Sequence, residues 1–190
     1  VDLLDDVEVG EVFKNPKLTI TGLVNCSYPR NKNYGRDLLK VEACDFNENI
    51  SINLSAYFNI MRAAAEFFSK NGGGSIVNFS SIYGEYAPKF EIYEETEMTV
   101  PVEYAPMKAG IQHMSKYFVK YFLKSNVNVN SILPGGVFAN QDPKFISNYE
   151  KHTNSFGMLM AEELCAAVEF LLFAKNITGQ NLVIDNGFTL

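Results

Sequence analysis

Histidine and cysteine are scarce in this chain. His113 and His152 stand far apart, and the three cysteines, Cys26, Cys44 and Cys165, are odd in number and widely spaced. A disulfide framework needs paired cysteines and a zinc site needs clustered ligands, so neither is encoded and no metal is expected. The apolar neighbours of the cysteines predict buried thiols in a reducing compartment. Basic residues are also few, with 16 Lys plus Arg against 22 Asp plus Glu, a net charge of -6 and no basic run. Nothing electrostatic invites a phosphate backbone, which argues against nucleic acid as a partner. No apolar stretch approaches the length of a membrane span, and the acidic start VDLLDD is the opposite of a signal peptide's basic region. The expectation is a cytoplasmic protein with no membrane partner.

Apolar residues are plentiful. They make up 47% of the 190 residues, and aromatics make up 13%. That suffices for one sizeable core and predicts one domain over residues 1–190. Four short β-branched runs, at 18–27, 74–81, 126–135 and 181–187, read as buried strands. Longer segments of helical period lie between them. One runs from a cap at Asp45 to about Lys70, with Ile52, Ala56, Ile60, Ala63 and Phe67 on one side and Leu54, Phe58, Met61, Ala65 and Phe68 on another. Apolar around its girth, it is expected to be buried on two sides. Others run from Tyr104 to Ser125, where His113 is expected to pack beside Ile111 and Met114, and from Ala161 to Lys175. Strands alternating with helices predict a doubly wound α/β fold, because parallel neighbours need crossover connections. An acidic, polar-interrupted excursion at about 88–103 separates the second strand from the next helix.

In such folds ligands bind beyond the carboxyl ends of the strands. Ser80 and Ser81 follow one strand and Pro134 and Gly135 follow another, while Tyr104 and Lys108 lie four apart at a helix start and so share a face. A phenol is a poor base at neutral pH, its ordinary pKa being about 10, and a neighbouring ammonium would lower that value. On spacing alone the pair is either acid/base chemistry or a half-buried aromatic beside a solvated lysine.

The frame around the pair resembles the short-chain dehydrogenase/reductase family. The resemblance runs through VDLLDD, LVNCSYP, INLSAYF, GSIVNFSSIYG, YAPMKAG, VNSILPGGV and ITGQNLVIDNG in that order. It implies a Rossmann-like sheet, NAD or NADP as cofactor, and hydride transfer to or from a carbinol carbon. By the same resemblance Tyr104 exchanges the proton, Lys108 lowers its pKa and holds the nicotinamide ribose, Ser81 holds the substrate oxygen, and Asn53 orders helix backbone and water. Cofactor contacts carried over are Asp2 and Leu3 after an apparent third strand, Asn25, Cys26 and Ser27, and Pro134, Gly135 and Val137. Two positions depart from the pattern: the bulky Tyr28 stands where a glycine is usual, and Ala139 where a threonine is usual. Ser81 could equally cap the turn after its strand, and Asn53 could bond a neighbouring carbonyl.

The family's glycine-rich pyrophosphate turn occurs nowhere in these residues. Gly72, Gly73 and Gly74 precede a strand and read instead as a helix stop and turn. The chain is therefore expected to be partial, lacking the family's first two strands. The stretch PKFEIYEETEMTV before Tyr104 is longer than usual for the family, and with YPRNKNYG it is expected to wall the substrate pocket, unless it is only a solvated flap. Both stretches are similar to a bacterial branch of the family linked to flagellin and surface-sugar modification. That implies a sugar or sugar nucleotide as substrate; the alternative is a scaffold that keeps the fold without turnover. Self-association as a tetramer or dimer is expected through the apolar helices.

Overall fold

The computed structural model describes residues 1–14 and 19–190. Four strands, β1 (Gly22–Asn25), β2 (Gly74–Phe79), β3 (Val127–Pro134) and β4 (Asn181–Ile184), form one parallel sheet in the order β1-β2-β3-β4. The helices are α1 (Asp6–Val12), α2 (Ala43–Lys70), α3 (Tyr104–Tyr121), α4 (Pro143–Glu150) and α5 (Glu163–Phe173). Helices α2 and α3 cover one face of the sheet, where Phe68, Ile76, Ile111 and Val129 pack together. Helix α5 covers the other, where Leu171 meets Val77 and Ile132. Both faces of the sheet are thus covered at β2 and β3, as their near-continuous apolar runs require, whereas Val24 of β1 is 39% exposed. Of the run at 18–27 only Gly22–Asn25 pairs as strand, and Leu18 lies outside the described residues.

Two helix ends show how the chain sets its own boundaries. At the end of α2, Gly72 takes φ +92° and the Gly73 N–H returns 2.8 Å to the carbonyl of Phe68. That closes the last turn through a left-handed residue, the stop read from the glycines. At the start of α2 the expectation fails: Glu42 occupies the cap without a side-chain bond, and Asp45 sits inside the first turn. Asp45 is only 6% exposed and accepts from Asn31 Nδ2, Asn33 Nδ2 and Arg36 Nη1 at 3.1, 2.9 and 3.1 Å. The carboxylate is taken up by a distant loop, so it is not free to cap its own helix. Helix α3 stops at Tyr121 and α5 spans Glu163–Phe173, both shorter than the periodicity suggests.

Other expectations are corrected by the packing. Cys26, Cys44 and Cys165 are exposed: Cys26 lies in the loop after β1, and Cys44 and Cys165 fall on the water side of α2 and α5. His113 is exposed too, as it points away from the buried line of Ile111, Ser115 and Phe118. The second face of α2 is only partly covered, with Leu54 and Phe67 half-buried and Phe58 41% exposed. Residues 1–5 form no strand; they turn into α1, where the Asp5 carboxylate caps Val7 and Glu8. The excursion before α3 is no solvated flap, since its 3-10 turn Phe90–Tyr93 packs on α4 and buries Ile92 completely. Among the described residues no helix is long and apolar enough to cross a membrane.

Candidate active site

Beyond the carboxyl ends of β2 and β3 lies a cavity of about 330 Å³, to which Ser81, Tyr104, Pro134, Gly135 and Val137 all contribute. The end of β2 is sewn to α3: Ser80 Oγ donates to the Lys108 carbonyl at 2.9 Å, and Gln112 Nε2 donates to Ser80 Oγ at 3.0 Å. Gly84 permits this approach, for a Cβ there would lie 2.8 Å from the Ala109 nitrogen of α3. Ser81 does two things. Its Oγ accepts the Tyr83 N–H at 3.1 Å, capping the next turn, and the residue lines the cavity together with Tyr104.

Tyr104 opens α3, half-buried, with Lys108 one turn further on the same face and 5% exposed. Lys108 Nζ donates to the Phe79 carbonyl at 2.9 Å, and it lies 5.6 Å from the Tyr104 ring, 5.2 Å from that of Tyr28 and 5.9 Å from that of Tyr57. Three aromatic faces thus surround one ammonium, and their negative quadrupoles offset part of its lost hydration. Burial still pushes the Lys108 pKa down, from 10.5 to about 8. Burial also pushes the Tyr104 phenol up, opposed by the Ser81 side chain. The expected lowering of Tyr104 is not found in this cofactor-free fold: burial dominates, and the opposing influence comes from Ser81 rather than from Lys108. At neutral pH the proton rests on the phenol.

Asn53 is fully buried in the middle of α2, with Nδ2 3.4 Å from the Pro29 carbonyl and Oδ1 without a partner. Asn25, 4% exposed, accepts the Ser27 N–H and hydroxyl on Oδ1 while its Nδ2 is likewise unpartnered. Cys26 stands exposed between Asn25 and Ser27. The loop after β3 is fixed from below, where Tyr149 Oη accepts the Gly136 N–H at 2.6 Å and its ring stacks on Phe188 at 4.3 Å. Asp2 and Leu3 are not brought to the cavity. Asp2 is exposed and accepts the Leu4 N–H, and the Leu3 carbonyl accepts from Asn59 on α2.

Several residues that build the site are not among the expected site residues, although the stretch YPRNKNYG that begins at Tyr28 is expected to wall the pocket. Tyr28 lines the cavity edge-on to Tyr104, ring centroids 5.8 Å apart, with its hydroxyl against that of Tyr34. Its loop is held to α2 by Asp45 and by Asn49, whose Oδ1 accepts the Asn31 N–H at 2.8 Å and whose Nδ2 donates to Glu103 at 3.2 Å. Glu103, fully buried, immediately precedes Tyr104. Asp45, Asn49, Asn53 and Tyr57 recur every fourth residue as a polar stripe on an apolar helix, and that stripe is the feature by which the loop contact could have been found.

A family model described as Enoyl-(Acyl carrier protein) reductase matches residues 10–189. The chain belongs to the short-chain dehydrogenase/reductase family. Among the relatives of this reductase-family chain is the post-translational flagellin modification protein A of Campylobacter coli, 39% identical over 175 residues, covering 90% of this chain and 68% of that protein. The 7alpha-hydroxysteroid dehydrogenase of Bacteroides fragilis is 27% identical over 155 residues, covering 76% of this chain and 55% of its own length. Among solved structures, a short-chain dehydrogenase from Leptospira borgpetersenii with bound NAD+ superposes with a TM-score of 0.86 at 34% identity, over 100% of this chain and 74% of that one. The chain thus spans between about half and three quarters of the length of these relatives.

Proposed function

We propose that the chain carries the catalytic half of a nicotinamide-dependent oxidoreductase acting on a carbinol or carbonyl, with a sugar or sugar nucleotide of glycan biosynthesis as substrate. One observation carries this reading: Ser81 and Tyr104, from different elements, face a single cavity with the Lys108 ammonium directly behind the phenol. The similarity to a flagellin modification protein and the hydroxyl-rich lining support the sugar assignment.

NAD or NADP fits the residues present at its nicotinamide end. The buried, unpartnered Asn25 Nδ2 and Asn53 Oδ1 leave hydrogen-bonding capacity where the ribose side of a cofactor would lie, and buried polar groups normally have partners. Tyr104 and Lys108 would hold the ribose, and Pro134, Gly135 and Val137 the nicotinamide. When bound, the cofactor accepts or supplies the hydride. The chain supplies the proton. Tyr104 Oη takes it from the substrate hydroxyl or returns it to the carbonyl oxygen, while Ser81 Oγ orients that oxygen. Lys108 keeps a positive charge behind Tyr104, which favours the phenolate when it forms.

The exposed rings of Tyr117 and Tyr121 on α3, with Phe58 on α2, support self-association through these helices. Light scattering on the intact protein measures it.

The decisive experiment follows nicotinamide absorbance with a panel of sugars, using the intact protein and its Tyr104→Phe variant. Turnover reduced about 10²- to 10⁴-fold in the variant, with cofactor binding retained, is expected. Binding without turnover on every sugar in the unmodified protein would instead identify a non-catalytic scaffold.

A further inference from the structure

Of the fifteen residues that line the cavity, none is charged. Five are tyrosines, Tyr28, Tyr83, Tyr93, Tyr104 and Tyr149, and burial pushes all five phenols up, Tyr28 and Tyr149 to about 12. They stay neutral over the whole physiological range, offering hydroxyls that both donate and accept and ring faces against which a pyranose can stack. The cations nearby lie outside the lining and already hold other contacts. Lys108 is bound to the Phe79 carbonyl, Lys144 pairs with Glu95 at 2.7 Å, Lys151 bonds Asn148 at 3.0 Å, Lys89 sits 4.8 Å over the Phe188 ring, and Arg30 lies 5.2 Å from the Tyr28 ring.

A carboxylate or phosphate drawn into such a lining would lose its hydration and meet hydroxyl donors but no residue of opposite charge, which is costly for a buried ion. A neutral hydroxyl exchanges water for a phenol or for the Ser81 hydroxyl at little net cost. Resting on the assignment of Tyr104 and Ser81 to the reacting end, we propose that the ring admitted to this cavity is an uncharged polyhydroxylated one, and that uronic, aldonic and keto-acid sugars are refused. Any phosphate or nucleotide the substrate carries stays outside the cavity mouth.

The test compares two ligands that differ only at C6, a methyl glucoside and the corresponding methyl glucuronoside, by saturation-transfer NMR on the intact protein with NAD+ present. This readout needs no turnover. The glucoside is expected to bind at least about tenfold more tightly. Thr99 lines the cavity and is exposed, so Thr99→Arg places a guanidinium at the rim and is expected to narrow or reverse that ratio. Equal or tighter glucuronoside binding by the unmodified protein, or no binding of either ring, overturns the proposal. Preference for the glucoside without turnover of any sugar leaves it standing and sinks the proton-transfer reading; turnover of a uronate does the reverse.

Discussion

Replacing Lys108 by methionine separates what this side chain does for folding from what it does for chemistry. Its pKa moves from 10.5 in the open chain to about 8 in the fold because burial disfavours the ammonium. The folded state therefore binds the proton less tightly than the unfolded state. Below a pH of about 8 this burden is fully present, about 3 kcal/mol at neutral pH, and it is relieved as the pH rises from about 8 towards 10.5. Methionine fills similar volume without the charge, and the Phe79 carbonyl keeps the Tyr57 hydroxyl at 2.8 Å, so the substitution leaves no orphaned acceptor. Urea unfolding of the cofactor-free intact proteins, at several pH values, gives the difference in stability. On going from about pH 7 to about pH 9.5 that difference should shift by about 2 kcal/mol in favour of the lysine protein. The neighbouring phenols contribute little to this window, since burial raises Tyr28, Tyr57 and Tyr104 above their ordinary value of 10.0. Activity of the Lys108→Met protein should be lost throughout. A difference that does not vary with pH would refute the claim that the ammonium is desolvated, and with it the account of why burial dominates this site.

Four other substitutions test the scaffold. Asn49→Ala removes the acceptor of the Asn31 N–H and the donor to Glu103. A loss of about 2–3 kcal/mol in chemical denaturation is expected, with a raised substrate KM because Tyr28 loses its anchor. Tyr149→Phe leaves the Phe188 stack in place but strands the Gly136 N–H. It should cost about 2 kcal/mol of stability at most and raise the cofactor KM in steady-state kinetics. Gly73→Ala forces a side chain at φ +109° with its Cβ 2.6 Å from the Asn126 carbonyl oxygen, whereas Gly10 has open space around it. The first change should cost about 2 kcal/mol or more in thermal unfolding, and Gly10→Ala should not destabilise.

The parts legible beforehand obey short-range rules. Strand and helix positions came from the periods of apolar residues, and the stop after Lys70 came from Gly72 and Gly73, because left-handed backbone is a property of the residue itself. The illegible parts depend on partners far along the chain. Asp45 has the chemistry of a helix cap, yet residues 31–36 claim it, and no local rule announces that competition. His113 and the cysteines were placed by the character of their neighbours, whereas exposure is decided by which side of an element meets the sheet. Tyr104 and Lys108 are legible as a motif; Tyr28 is legible as a departure from one and as the start of a loop expected to wall the pocket, but not as the residue that completes the ring around the ammonium.

The loop at 28–36 has internal hydrogen bonds, such as those from the Asn33 N–H to Asn31 Oδ1 and from the Tyr34 N–H to the Asn31 carbonyl, but does not stand on them alone. It is also held by asparagine and aspartate side chains on α2, and through Asn49 it is linked to the acid that precedes Tyr104. Anyone grafting this segment onto a cousin enzyme to alter its selectivity would have to carry over positions 45 and 49 as well, and accept a changed setting for the phenol. On the proposed function, recognition and reactivity are inherited as a package, and small edits to one should register in the other.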